Sequence, residues 1–479
     1  MKASSKLWRP AVALLYAAFI PVLAVAADGL RLGYMLDISR DKVPTYATLE
    51  TIANVVSSLG YDQLQLYTEH TFAYRRHRSV WKDASPVSAE EMVRLDAHCR
   101  KIGLELVPNQ NSFGHLDRWF RKPEYNHLAE APNGGVWIPW DKCRTTYPSA
   151  LCPTDPHSIE FLRGLYDELL PNFSSGFFNV GCDEVMDFRD PDGPGRSAAA
   201  VREKGAGRVY LDFLLQIHSL CVERGKRMMF WGDIITRHPD LVPELPKDVV
   251  VMVWHYEYDD TFAKRCEPFA KSGLDFWVCP GTSGWCSLLG CYAKARGNID
   301  QAVAAARNYG AKGVLLTDWG DLGHSQSWAS ALPAIAYAAQ RVKGLSTTDE
   351  SVIARIDSIV GARCGAALVD LANLYRLVEK KAGYGTRLFK AAKRQAKLSK
   401  EELDAVVADY GAAIAKANLL DAPEWVRNAF DTAALYVRML KGEGSREADI
   451  ADYRRLWLAL NREGGLEDSV GKMFPPNGE

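Results

Sequence analysis

Two acids stand side by side at the end of an apolar run, in the segment Gly176-Phe-Phe-Asn-Val-Gly-Cys-Asp183-Glu184. Residues 177–181 are short, aromatic and uncharged, the pattern of a buried strand. A carboxylate pair at the C-terminal end of such a strand sits where a barrel of parallel strands does its chemistry. Adjacent like charges resist joint ionisation, so one pKa is pushed above the other. A protonated acid beside a fixed anion is what acid-assisted bond cleavage needs.

Other polar groups follow other apolar runs. Asp37 and Arg40 follow the first, Glu69 and His70 the second, and Asn109, Gln110, Asn111 and then Gly114-His115 the third. Trp231, Gly232 and Asp233 end the fifth; Trp254, His255 and Tyr256 end the sixth. Thr282-Ser-Gly-Trp285 follows the seventh, and Asp318-Trp319-Gly-Asp321 ends the eighth. Such a set of acids, amides and indoles suits a sugar: indoles stack on its C–H face, while carboxylates and amides take its hydroxyls. Phosphorylated substrates would call for a cluster of Arg and Lys or a Gly-rich nest, and Arg40 is the one such cation among these residues. The ordinary retaining pair needs carboxyls about 5 Å apart across the bond, normally from different strands. Adjacent acids suit another division of labour. Glu184 protonates the leaving oxygen, while Asp183 holds a substrate group, such as a 2-acetamido, that itself attacks the anomeric carbon.

The elements that must position these residues follow from periodicity. Apolar runs at 33–36, 64–67, 104–107, 177–181, 228–231, 249–254, 276–278 and 313–317 alternate, for the most part, with helical patterns. That alternation implies βαβ units and a parallel sheet, and eight repeats imply a (β/α)₈ TIM barrel, an α/β fold, over residues 27–346. Ser88…Glu91 reads as a capping box and Asp155-Pro156 as an N-cap with Pro at the first helical position. The long connection from Pro108 to Asp155 is of the kind that serves function. Residues 347–479 carry no strand runs. Thr347…Glu350 and Ser399…Glu402 read as further capping boxes, and Leu403, Val406, Val407, Tyr410 and Ile414 fall at helical spacing, so this part is expected to be an α-helical domain packed on the barrel.

Bulk properties exclude several classes. Of 479 residues, 47% are hydrophobic and 24% charged, as in a soluble globular protein. The net charge of −1 comes with no basic stripe, which excludes a nucleic-acid partner. The ten His residues include no HExxH pair. Lys2, Lys6 and Arg9 precede an apolar run over 11–26 that ends Ala24-Val-Ala26, a secretory signal with cleavage expected after Ala26. Cleavage would remove three cations and no acid, taking the formal charge from −1 to near −4. The mature chain is then expected outside the cytoplasm, periplasmic or extracellular, and free of the membrane. Cys279, Cys286 and Cys291 lack zinc-site CxxC spacing, Cys182 reads as a small buried filler, and export would permit a Cys143–Cys152 disulfide.

Four stretches in order resemble glycoside hydrolase family 20, the β-N-acetylhexosaminidases. Tyr34-Met-Leu-Asp-Ile-Ser-Arg40 is similar to the family's first strand and Gly181-Cys-Asp-Glu184 to its Gly-Gly-Asp-Glu motif. Phe230-Trp-Gly-Asp233 is similar to its fifth strand and Asp318-Trp-Gly-Asp321 to its last. The resemblance implies that Glu184 is the general acid/base and that Asp183 orients the acetamido group. It implies that Trp231, Trp254 and Trp319 line the sugar pocket and that Asp321 takes a hydroxyl. His115 matches a Gly-His after strand three. Arg31 lies one residue out of register with an Arg that grips sugar hydroxyls. The chain departs from the pattern at Pro108-Asn-Gln-Asn111, where an acid is usual, at Tyr67-Thr-Glu-His70, and at the Tyr that holds the acetamido oxygen, near which Trp285 falls. A divergent branch without the usual preceding α/β domain is expected. The substrate-binding set is thus Glu69, His70, Asn109, Asn111, His115, Trp231, Trp254, Tyr256, Trp285, Trp319, Asp321 and Arg31, with no cofactor and no metal.

The expected activity is exo-acting removal of terminal β-linked N-acetylglucosamine or N-acetylgalactosamine from a glycan. Two other readings stay open. One is a metal-dependent barrel hydrolase using Glu69, His70, His115 and Asp183. The other is an N-acetyl-sugar-binding protein without catalysis.

Overall fold

The computed structural model describes residues 29–475, apart from 41, 139–142, 189, 258, 378, 380–397 and 419. The expected signal segment lies outside the described residues. Eight parallel strands carry the fold: β1 Arg31–Asp37, β2 Gln63–Tyr67, β3 Glu105–Val107, β4 Phe177–Asn179, β5 Arg227–Trp231, β6 Val250–Trp254, β7 Asp275–Cys279 and β8 Gly313–Asp318. Their order runs β3-β2-β1-β8-β7-β6-β5-β4, with consecutive strands side by side as right-handed crossovers require. An Asn109–Asn179 bridge joins the two ends and closes the ring. The fold is a TIM barrel followed by a helical region.

Helices α1 Tyr46–Leu59, α2 Ala89–Lys101, α3 Pro156–Leu169, α4 Ala206–Glu223, α5 Thr261–Ser272 and α6 Tyr292–Tyr309 fill six crossovers, and α7 Leu332–Val342 follows β8. Between β5 and β6 stand only 3₁₀ turns, Ile235–Arg237 and Pro239–Glu244. Prolines 239 and 243 remove backbone donors there, which favours tight short turns over a regular helix. The Ser88–Glu91 capping box is made in both directions, and Asp155 accepts from the His157 amide ahead of Pro156.

Two apolar cores result. One lies between strands and outer helices. The other fills the barrel itself with Met35, Tyr67, Met229, Trp231, Met252, Trp277, Leu315 and Trp319. Below these lies a polar layer in which Gln65 Oε1 accepts from Asn109 (3.1 Å) and Asn179 (3.0 Å).

Among the described residues from Asp349 onward the elements are helical: α8 Asp349–Val360, α9 Gly365–Asn373, α10 Lys400–Asn418, α11 Glu424–Lys441, α12 Arg446–Leu460 and α13 Leu466–Met473. The Ser399–Glu402 box caps α10, and Val406, Tyr410 and Ile414 are its buried stripe. The box expected from Thr347 is displaced by one residue. Thr348 is the N-cap and accepts from Ser351, because only its backbone is extended at the point where the helix begins. This region reaches the barrel mouth: Tyr436 donates to Ser325 O (3.3 Å), and Ser327 to Asn428 Oδ1 (2.8 Å). No helix among the described residues is long and apolar enough to cross a membrane.

The Cys143–Cys152 disulfide is not formed. Cys143 is exposed on a two-stranded ribbon, Trp137–Ile138 with Cys143–Arg144, whereas Cys152 is buried beside Thr154 and Ser197. Two cysteines facing such different surroundings cannot meet the short Cβ separation a disulfide demands.

Candidate active site

The pairing of Asp183 with Glu184 is made by backbone, not by strand geometry. On a regular strand, consecutive side chains point to opposite faces. Strand β4 ends at Asn179, two residues earlier than the apolar run suggests, and Gly181, Cys182 and Glu184 all take left-handed φ values of 69°, 69° and 49°. These rotations turn both carboxylates toward one cavity. His115 opposite also has positive φ, 54°. Each such non-glycine residue costs about 1–3 kcal/mol, a cost that persists only where surrounding structure enforces it. Here Cys182 is fully buried with its amide on Asn111 Oδ1 (3.2 Å) and its carbonyl accepting from Tyr210 (3.0 Å), so it is the filler its sequence context suggested.

A Cβ at position 181 would stand 2.6 Å from Asn111 Cγ, besides the strain of φ +69°. Gly181→Ala is therefore expected to displace Asn111 and with it Asp183. Stability should fall by about 1–3 kcal/mol and activity by at least about tenfold, as thermal melts and steady-state kinetics would measure.

The cavity has a volume of about 170 Å³ and is lined by Arg40, Asp183, Glu184, Trp254, Tyr256, Trp285, Trp319 and Asp321. Its aromatic wall is tied together. Trp319 Nε1 donates to Tyr256 Oη (2.7 Å), Tyr256 stacks on Trp254 with ring centroids 5.3 Å apart, and Trp285 meets Tyr256 edge-on at 5.0 Å. Trp231 stands behind this wall, fully buried, its ring 6.0 Å from that of Trp319.

The two acids have different surroundings. Asp183 is buried, its Oδ1 accepting from Asn111 Nδ2 (2.9 Å) and its Oδ2 3.4 Å from His115 Nε2. Burial alone would raise its pKa, but the charge of His115 and the contacts from His115 and Asn111 outweigh that and hold it below the ordinary value. Glu184 is partly open to solvent, with Oε2 3.7 Å from the same His115 nitrogen. Burial and the charge of Asp183 raise its pKa in spite of His115. His115 itself, although burial opposes it, is held protonated up to about 10 by Asp183. One site thus contains a fixed anion, a fixed cation and a carboxyl displaced toward its protonated form.

Asp233 buttresses the pair by accepting from the Glu184 amide (3.2 Å). Burial, then Asp183 and Glu184, push it up to about 7. The folded protein therefore keeps a proton that the unfolded chain releases near pH 4, so this carboxyl costs stability as pH rises from about 4 to 7. Asp233→Asn is expected to raise stability at pH 8 by up to roughly 4 kcal/mol, the gain shrinking as pH falls toward 4. Thermal melts over that range check the sign.

Arg40, a strand-end residue outside the binding set expected from the sequence, belongs to the site. It pairs with Asp321 across the cavity, lies 3.6 Å from Glu69 Oε1 and 3.8 Å from Asp37 Oδ2, and covers the faces of Trp319 and Tyr67. Its signal was the Asp37…Arg40 spacing: Asp37 accepts from the amides of Ser39 and Arg40, and this turn aims the guanidinium inward.

Several expected positions differ. Arg31 lies at the start of β1, at the opposite mouth of the barrel, paired with Glu105 (2.6 Å) over Phe177 and Trp277. Asn109 is in the polar layer beneath the aromatic core, bonded to Gln65. Glu69 sits behind the cavity wall, accepting from Tyr67 (2.9 Å) and facing Arg40. His70 faces a different cavity. That dismantles the four-residue metal set, and no group of three or more His, Cys, Asp or Glu among the described residues has metal-holding geometry.

Comparison with known proteins agrees with this geometry. Residues 67–289 match the family model for the glycosyl hydrolase family 20 catalytic domain. Hexosaminidase D of Bos taurus is 22% identical over 340 residues, 66% of this chain and 93% of its own length. Lacto-N-biosidase of Bifidobacterium bifidum is 26% identical over 203 residues, 41% of this chain but only 17% of that much longer protein. The solved structure of Flavobacterium johnsoniae chitobiase superposes with a TM-score of 0.55 at 16% identity, covering 92% of this chain and 77% of that one. A closed eight-stranded barrel with an Asp–Glu pair at the end of its fourth strand, matched along that stretch by the family model, identifies residues 67–289 as a glycosyl hydrolase family 20 catalytic domain and the protein as a glycoside hydrolase.

Proposed function

We propose that the protein is an exo-acting β-N-acetylhexosaminidase that uses the substrate's own 2-acetamido group as nucleophile. The observation that carries this reading is the unequal pair: a buried, anchored, ionised Asp183 beside a half-open Glu184 of raised pKa. Glu184 protonates the leaving oxygen as the glycosidic bond breaks. The acetamido oxygen attacks the anomeric carbon, and Asp183 holds the acetamido N–H and stabilises the positive charge that develops on the cyclic intermediate. Glu184, now ionised, removes a proton from the incoming water. Arg40 and Asp321 grip ring hydroxyls, and the wall of Trp254, Tyr256, Trp285 and Trp319 covers the ring's apolar face. The cavity is smaller than the roughly 300 Å³ typical of larger-ligand sites, which suits one terminal sugar and hence exo action. Relatives named hexosaminidase and chitobiase favour the same substrate class.

The test is a paired assay of aryl β-glycosides with and without the 2-acetamido substituent. The N-acetyl substrate is expected to be favoured in kcat/KM by at least about 10³-fold. Comparable turnover of the 2-hydroxy analogue would remove substrate assistance. Parallel N-acetylglucosaminide and N-acetylgalactosaminide substrates decide the epimer. We also propose export, on the basic, apolar and small-residue pattern of residues 1–26; N-terminal sequencing of the secreted chain would read Ala27 first.

A further inference from the structure

A second, larger cavity of about 250 Å³ opens on the same end of the barrel, between the turns after β1, β2 and β3 and the start of α13. Chain neighbours divide between the two cavities. Arg40 lines the sugar cavity and Ser39 lines the second; Glu69 faces Arg40, while His70 lines the second. A cluster of cations stands here, supplied by the long loop after β3. Arg118, Arg121 and Lys122 line the cavity against one acid, Asp83.

Two of these cations have an acid beside them. Arg121 Nη2 is 2.9 Å from Asp117, and Arg118 Nη2 is 3.8 Å from Asp468, which also binds Lys472 (2.5 Å). His70 is only 5% exposed, yet its Nδ1 has no hydrogen-bond partner. Burial and the three cations keep this ring neutral, its pKa lowered to about 3. A neutral imidazole can present an N–H at that vacant position. Buried polar nitrogens are ordinarily satisfied, so one left open at the wall of a cationic cavity has the form of a ligand contact. Nothing in the sugar mechanism uses it.

We propose that this cavity binds a sulfate or phosphate group, with Arg118 and Lys122 supplying charge and His70 a directional donor. Donors brought by separate segments suit a tetrahedral oxyanion better than a planar carboxylate gripped by one Arg. The group has two possible sources with the same chemistry: an ester on the glycan whose terminal sugar occupies the neighbouring cavity, or the free inorganic ion.

Calorimetry of the full chain with inorganic phosphate and with sulfate, at ionic strength held constant by chloride, tests the site without requiring turnover. A failure of the hydrolytic reading therefore leaves this test intact. Saturable binding is expected, at least about tenfold weaker in Lys122→Ala, a half-buried position whose replacement leaves the core untouched, and similarly weakened in His70→Asn. Hydrolysis of a neutral aryl N-acetylglucosaminide should be unchanged in Lys122→Ala. Absence of saturable binding, or equal binding by wild type and Lys122→Ala, would overturn the site. In a second arm, sulfated and neutral oligosaccharide glycosides are compared. A kcat/KM preference for the sulfated glycoside that Lys122→Ala abolishes assigns the group to the substrate, and anion binding without that preference assigns it to the free ion.

Discussion

Replacing Glu184 with Gln is expected to lower kcat by about 10²–10⁴-fold while leaving the dissociation constant for N-acetyl sugar within a few-fold of wild type. The amide keeps the size of the carboxyl and its place beside His115, so the sugar cavity keeps its shape. What disappears is the proton for the leaving oxygen. The loss should be smallest for an aryl leaving group acidic enough to depart unprotonated, and greatest for a natural glycan. The pH profile gives a second reading. Burial and then Asp183 raise the Glu184 pKa, so wild-type kcat/KM falls on the alkaline side as that carboxyl loses its proton. Glu184→Gln has no such group, and its residual activity should lack this limb. Wild-type turnover in the variant, or an unchanged alkaline limb, would take the acid role from Glu184.

The second large effect is expected from Asp183→Asn. Asp183 is buried, accepts from Asn111 at 2.9 Å and faces His115 at 3.4 Å, so the replacement occupies the same space without the charge. Stabilisation of developing positive charge by a preorganised carboxylate is worth several kcal/mol, and kcat is expected to fall by about 10²–10³-fold. A purely structural role would not account for two further signatures. The preference for the 2-acetamido substrate should shrink, because the group that orients the nucleophile is altered. The His115 pKa should drop far below its value of about 10, since Asp183 is what holds that proton against burial. Imidazole titration by NMR reads the second effect independently of turnover. A His115 that titrates identically in the variant would separate the two residues and undo the account of the anchored anion.

Much of this was legible along the chain because it is local. Strand runs, the Ser88–Glu91 box, the Asp155-Pro156 cap and the change of texture near residue 347 are near-neighbour patterns, and short-range sterics and hydrogen bonds decide them. The Thr347 box missed by one residue for the same reason: adjacent threonines offer equal caps in one dimension, and only the direction of the incoming backbone separates them. Arg31 and Arg40 show the larger gap. They stand at the two ends of the first strand, and the family resemblance points to Arg31 although it lies one residue out of register. A strand has two ends, however, and the barrel sends Arg31 to its lower mouth and Arg40 to the upper one. His70 and Glu69 are neighbours in sequence that face different cavities, a division that depends on which side of the turn each side chain leaves.

The chain's residue order, then, was enough to determine a parallel eight-stranded barrel, the two carboxylates at the end of its fourth strand and the indoles around them, because alternating apolar runs can close in few ways. Only the folded molecule decided that the two acids face the same way and ionise differently. The left-handed turns at Gly181, Cys182 and Glu184 are imposed by contacts from Asn111, Tyr210 and Asp233, and the protonation of the pair is set by burial, by His115 and Arg40, and by the charge of Asp183 on Glu184. Those contacts come from three other strand ends and from the helix after the fourth strand, and electrostatic coupling depends on distance through space, which sequence separation does not encode.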